Sequence, residues 1–174
     1  MENKNIGGIN IIAMKKERLI YRNFIPSDVE TICKLPLNEQ ELFFMCPKAV
    51  YPLTMKQLDE IMKDRFEPTV ILFDNEIVGF ANFYEVSEKQ YCSIGNVIVN
   101  SHFRRCGIGS FLITVMENIG RQKYSVSEIH LSCFNQNVNG LLLYTKLGYI
   151  PYEIEKHIYK KHEISALIKL KKTW

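Results

Sequence analysis

None of the five cysteines (Cys33, Cys46, Cys92, Cys106 and Cys133) stands in a Cys-x-x-Cys pair, and the four histidines do not join them at zinc-ligand spacing. An odd number of thiols without paired spacing argues against a metal site or a disulfide framework as the organising feature. The cysteines read instead as reduced, mostly core residues of a cytoplasmic protein, and no metal is expected. No apolar run approaches the ~20 residues that a membrane-spanning helix needs, so no membrane role is expected. The short apolar patch at residues 6–14 lacks a basic leader and a small-residue cleavage pattern, so residues 1–15 read as a loose end or an edge strand rather than a signal peptide. An excess of one charge is also missing. The 22 basic and 19 acidic residues leave a net charge of +3, too little to argue for nucleic acid or an anionic membrane as partner. Repeats, low-complexity tracts and Pro/Gly/Ser linkers are absent. The 174 residues (1–174) therefore read as one domain with room for a hydrophobic core.

What is present is a patterned alternation of elements. Residues 18–24 read as a strand. "PSDVETICKL" follows as a helix with Ser27 and Glu30 in capping-box spacing. "NEQELFFMCPKAVYP" reads as irregular, and "TMKQLDEIMKDRF" as a second helix with Thr54 and Gln57 in the same capping relation. "TVILF" and "IVGFANFYEV" about Asp74-Asn75 form a hairpin signal, and "YCSIGNVIVN" adds a β-branched strand. A helix at residues 110–124, a strand in "SEIHLSCF", a helix ended by Gly148 and two C-terminal strands complete the order β-α-α-β-β-β-α-β-α-β-β. The hairpins imply antiparallel pairing. The strand-helix-strand step between residues 107 and 134 implies one parallel pair through a crossover. The expected fold is α/β (α+β): a mixed, mostly antiparallel sheet of six to seven strands flanked by about four helices.

The stretch "NSHFRRCGIGSFL" lies between a strand and a helix. A helix N-terminus presents unpaired backbone N–H groups and partial positive charge. Glycine there lets the backbone approach a ligand, so Arg104, Arg105, Gly107 and Gly109 suit a diphosphate. A dinucleotide fingerprint needs a third glycine where Leu112 stands, and the Lys-Ser or Lys-Thr of a P-loop is absent. Taken alone, the heptapeptide "RRCGIGS" fits equally a solvated glycine-rich turn.

Two motifs together resemble the GNAT superfamily of N-acyltransferases. One is Arg104-x-x-Gly107-x-Gly109 after the strand "NVIVN". The other is "HLSCFNQNVNGLLLYTKLGY", with Asn137, Leu143, Tyr144, Lys146, Gly148 and Tyr149 in place and Gly140 where alanine is commoner. The resemblance covers about residues 18–170. It implies two central strands splayed to admit acetyl-CoA as acyl donor. The main-chain groups of Val97, Ile98 and Val99 would meet the pantetheine arm. The amides from Arg104 through Arg105, Cys106, Gly107, Ile108 and Gly109 to Ser110 would hold the pyrophosphate, and Asn137 and Tyr144 would contact the CoA arm. Tyr144 would also protonate the leaving thiolate.

The implied reaction is direct attack by a primary amine, of a small molecule or a peptide, on the thioester. A homodimer is compatible with the family. Where some relatives carry a strand glutamate this chain has Ser93, so the amine's proton is expected to leave through water held by Ser93, Asn96, Asn82 or backbone carbonyls. Glu85 reads as a surface hairpin glutamate. Cys106 lacks a histidine partner pattern and is not expected to act as a nucleophile. Phe43 and Phe44 are candidates either for an acceptor-pocket wall or for core, and Glu39 and Glu41 hint at a cationic acceptor. The competing expectation is a non-catalytic CoA-binding or regulatory module with the same fold, favoured by the missing strand carboxylate.

Overall fold

The computed structural model describes residues 18–159 and 163–174, and the expectation for residues 1–15 lies outside them. Chain order among the described residues is β1 (Leu19–Asn23), α1 (Val29–Cys33), α2 (Glu39–Met45), α3 (Met55–Met62), β2 (Phe66–Phe73), β3 (Glu76–Ser87), β4 (Tyr91–Val99), α4 (Ile108–Tyr124), β5 (Glu128–Phe134), α5 (Val138–Lys146), β6 (Ile150–Tyr159) and β7 (Glu163–Thr173). The β2–β3 hairpin turns on Asp74 (φ 51°) and Asn75 (φ 67°). Left-handed backbone at both central residues is the primed turn whose twist matches the flanking strands, and Asn and Asp tolerate it well. The strands assemble into one seven-stranded sheet in the order β1-β2-β3-β4-β5-β7-β6. Every pairing is antiparallel except β4–β5, which the 17-residue α4 joins as a crossover.

Each face of the sheet carries its own core. On one face Leu112, Ile113 and Met116 of α4 pack with Phe83, Cys92, Ile94, Ile129 and Leu131. On the other, Ile32, Leu42 and Leu58 of the three N-terminal helices pack with Val70, Leu72, Phe80 and Ile98. The even-numbered residues of β4 contribute to both, which strict strand alternation forbids. Cys92 and Ile94 face α4, so Ile98 should too. The pairing explains the change of side: Phe80 opposes Ile98 and Asn82 opposes Gly95, so β4 holds one residue more than β3, and Asn96 sits there at φ 51°. A bulge of this kind re-aims every later side chain. Beyond it Val97 and Val99 pack toward α4, and Ile98 toward the N-terminal helices.

Three local expectations need revision. The described residues hold five α-helices where about four were expected, because "EQELFFM" forms α2 instead of an irregular segment. Asn38 Oδ1 accepts the Glu41 N–H at 2.9 Å as its cap, and Leu42, Phe43 and Met45 are buried. The Ser27–Glu30 box does not form: Asp28 stands at the N-cap position of the first helix, and its side chain makes no cap bond to that helix. Pro26–Asp28 form a 3-10 turn, and the buried Asp28 carboxylate accepts the Ile25 N–H (2.9 Å) and holds Arg22 through two bonds (2.6 and 2.7 Å). At α3, Thr54 Oγ1 accepts the Gln57 N–H as expected, but the Gln57 amide reaches Val50 instead of closing a reciprocal box.

Leu112, the residue that breaks the dinucleotide pattern, is fully buried between α4 and the sheet. Leu112→Ala is expected to cost about 2–5 kcal/mol, transfer plus cavity, as read from the midpoint of urea unfolding at unchanged slope.

Candidate functional site

The parallel β4–β5 pairing runs from Tyr91↔Glu128 to Ile94↔Leu131 and stops. Both strands continue. β4 stays paired with β3 as far as Val99, and β5 with β7 as far as Phe134. The result is a gap in the middle of the sheet with both walls held from behind. On its β4 wall the residues from Gly95 to Val99 have no partner strand on the β5 side. An unpaired strand edge is a template for any extended ligand carrying amide groups.

The turn after β4 leads out of this gap. Asn100 Oδ1 accepts the His102 N–H at 3.1 Å, Arg105 adopts φ 63°, and Gly107 adopts φ 86°. α4 starts at Ile108, and no side chain caps its first turn. The N–H groups of Ile108, Gly109 and Ser110 are therefore available to an anion. A Cβ at Gly107 would meet nothing within 4 Å, so this glycine is required by its backbone conformation rather than by space. At Gly109 the reverse holds: a Cβ would stand 3.0 Å from Leu143 Cδ2 of α5. The half-buried Cys106 thiol does no more than donate to the Arg104 carbonyl (3.5 Å).

Arg104 is committed inside the protein. Its Nε donates to the Val99 carbonyl (3.2 Å), and its two terminal nitrogens pair with both oxygens of Glu41 (2.7 and 2.9 Å). This bond holds the Glu41 carboxyl below its ordinary range. It also ties α2 to the turn. Two further contacts hold α2 across the gap. Asn96 Nδ2 donates to the Met45 carbonyl (3.0 Å), and the Phe43 ring lies 4.3 Å from that of Phe134 at the end of β5. α2 therefore roofs the parting strands on the face opposite α4. Phe43 is buried in that roof, and Phe44, half-buried, stands 6.0 Å from it.

Of the polar residues expected near the reacting centre, Asn82 and Asn96 are buried together. Asn82 Nδ2 donates to Asn96 Oδ1 (3.0 Å), which also accepts from Arg65 Nε (3.1 Å). Ser93, also buried, donates to Glu85 (3.2 Å). These two groupings do not share a hydrogen bond. Asn137 caps α5, its Oδ1 accepting the Gly140 N–H (3.0 Å). A Cβ at residue 140 would collide with that amide at 2.7 Å, which explains glycine at this position. Tyr144 is 6% exposed, edge-on to Tyr149 (6.1 Å), and burial pushes its hydroxyl pKa well above the usual tyrosine value. Burial therefore keeps this hydroxyl protonated.

The profile of the acetyltransferase (GNAT) family matches residues 36–149. The chain belongs to the GNAT acetyltransferase family. No curated protein shows significant sequence similarity to it. Among solved structures, the fold is similar to spermidine N-acetyltransferase from Vibrio cholerae in complex with CoA and spermine (TM-score 0.76, 13% identity, 90% of this chain and 96% of that one). It is similar also to ribosomal-protein-alanine N-acetyltransferase from Brucella melitensis (0.70, 16%, 89% and 99%). A third similar fold is an N-acetyltransferase from Staphylococcus aureus Mu50 (0.69, 16%, 89% and 98%). This GNAT fold has no group of three or more His, Cys, Asp or Glu placed to hold a metal ion among its described residues. Nor is any described helix long and apolar enough to cross a membrane.

Sequence reading missed the α2 roof and its Arg104–Glu41 strap. The cap signal Asn38-x-x-Glu41 was available for the helix, whereas a pairing across 63 residues leaves no local trace. Because the Glu41 pKa is lowered on folding, the strap stabilises the protein fully above the ordinary glutamate range and is lost as pH falls below about 4. Glu41→Gln is expected to lower stability by about 1 kcal/mol at neutral pH. The difference from the parent should shrink progressively as pH falls below the ordinary glutamate range, measured by denaturant unfolding across pH.

Proposed function

We propose that this protein transfers the acetyl group of acetyl-CoA to a primary amine of a small molecule or peptide, as a single domain over residues 1–174. The observation that carries this reading is the end of β4–β5 pairing at Ile94↔Leu131, directly ahead of a glycine turn and an uncapped helix start. The residues present fit CoA. The open backbone of Val97, Ile98 and Val99 suits the amide-bearing pantetheine arm, and the amides from Arg104 through Ser110 suit its pyrophosphate. Arg105, exposed and left-handed, adds charge at the mouth of the site. Arg104 acts mainly by fixing the turn to Val99 and α2. The Asn137 amide nitrogen is left for the CoA arm once its oxygen has capped α5.

Tyr144 serves as the proton donor to the leaving thiolate, its hydroxyl kept neutral by burial. The oxyanion that develops on the thioester carbonyl is met by a backbone N–H beyond the β4 bulge, at Val97 or its neighbour, held rigid by β3 behind it. The free, mostly buried thiols support a reducing, cytoplasmic setting.

Saturating acetyl-CoA is expected to raise the melting temperature by about 5–10 °C, the shift for a ligand near 100 times its Kd, and NAD should leave it unchanged. Absence of a shift at millimolar acetyl-CoA would sink the reading. Gly109→Val, which crowds Leu143 and the first turn of α4, is expected to weaken CoA binding about tenfold or more by calorimetry. Tyr144→Phe should lower kcat roughly 100-fold while leaving the Kd for CoA nearly intact. Unchanged turnover would remove Tyr144 from the chemistry.

A further inference from the structure

Four carboxylates, on β3, β5 and β6, stand on the sheet face turned away from α4. Glu128 is answered by Lys171 (3.0 Å) and His130 (2.8 Å), and Glu153 and Glu155 by Lys169 (3.2 and 2.5 Å). Glu85 has no cationic partner among the described residues. Its two oxygens accept one hydroxyl each, from Tyr91 (2.8 Å) and Ser93 (3.2 Å).

Its position is set by the backbone. Phe83 opposes Ile94 while Glu85 opposes Ser93, so β3 carries an extra residue at Tyr84. That bulge brings Glu85 against Ser93, one rung before the last β4–β5 pair at Ile94↔Leu131. The Tyr84 ring is laid over Gly95, so closely that a Cβ there would meet Tyr84 Cδ1 at 2.8 Å. Asn82 Oδ1, fully buried and without a hydrogen-bond donor, lies 3.6 Å from the same point. An exposed carboxylate without a cationic partner among the described residues, an aromatic face and an unanswered amide oxygen thus stand close together along β3, on the sheet face turned away from α4. All three are electron-rich, and together they want a cation.

Resting on the acetyl-transfer reading above, we propose that Glu85 seats the ammonium of a primary alkyl amine acceptor and takes its proton. An alkyl amine titrates near 10.4, so it arrives charged and must be deprotonated before it can attack. The first N–H proton passes to the Glu85 carboxylate and on to solvent. The nitrogen lone pair then forms the C–N bond to the thioester carbonyl carbon. Collapse breaks the C–S bond, the thiolate takes the Tyr144 proton, and the second amine proton restores Tyr144 through solvent. The products are the amide, the free thiol of CoA and one released proton. The carboxylate that Ser93 does not supply is delivered from the neighbouring strand, and Glu85 is more than a surface hairpin residue.

The test compares wild-type protein, Glu85→Gln and Glu85→Asp. Propylamine, 1,4-diaminobutane, a short peptide amide with a free N-terminus, and aniline, which is uncharged near neutral pH, are titrated calorimetrically into CoA-saturated protein. The same amines are assayed for thiol release from acetyl-CoA. The expected result is binding of at least one alkyl ammonium that weakens about tenfold or more in Glu85→Gln and recovers in part in Glu85→Asp. Thiol release should fall alongside, aniline should be little affected, and the acetyl-CoA melting shift should be retained. Glu85-dependent binding without thiol release from the wild type would keep the seat and remove the transfer reading. Turnover of an alkyl amine equal in Glu85→Gln and wild type would keep transfer and overturn the seat. Failure of every alkyl ammonium to bind the wild type would overturn it too.

Discussion

One surplus residue in β4 shapes the centre of this molecule. In a strand that alternates without interruption, every second side chain serves the same core. The bulge at Asn96 lets β4 serve the α4 core with Cys92 and Ile94 and the N-terminal helix core with Ile98. It also puts Asn96 where it can hold the Met45 carbonyl of α2. The backbone beyond the bulge is left facing the gap at the level where β5 has turned away. Asn tolerates the left-handed conformation that the insertion demands better than the β-branched residues flanking it here.

The gap is kept open by what stands behind and above it. β3 and β7 hold the outer edges of its two walls, so unpaired backbone is presented without fraying. α2 is fastened to three separate elements: β4 through Asn96, β5 through Phe134 and the glycine turn through Arg104. An arginine in a phosphate-binding turn invites assignment to the phosphate. Here its planar fork is matched by both oxygens of a carboxylate, and its work is to position the turn. The donors proposed for a phosphate are then the amides of the turn itself, whose first helical turn no side chain caps.

Much of this was legible in the sequence because the signals were local. The hairpin at Asp74-Asn75, the crossover, the αL end at Gly148 and the two-faced β5 all follow from periodicity and turn chemistry. The Arg-x-x-Gly-x-Gly turn was equally plain. Two kinds of feature were not. α2 is short, and its apolar residues run consecutively at Leu42, Phe43 and Phe44, so no helical period shows. The surroundings of Glu85 depend on register: a bulge at Tyr84 brings it opposite Ser93, and nothing in "NFYEVSEKQYCS" announces which residues will face each other. Bulges carry no strong residue signature, and in this protein they occur where the chemistry is proposed to happen.

The parallel seam between β4 and β5 comprises the rungs from Tyr91↔Glu128 to Ile94↔Leu131 and no more. Elsewhere the strands are zipped along most of their length, so the sheet behaves as two stiff leaves, β1–β4 and β5–β7, joined by a short spine. Deformation concentrates where stiffness is lowest, and here that is the spine rather than any surface loop. Two helices splint that spine: the α4 core takes in Cys92 and Ile94 from one leaf and Ile129 and Leu131 from the other, and α2 spans the gap from Asn96 to Phe134. The width of the gap is thus set by packing on both faces of the sheet and not by the few rungs of the seam alone.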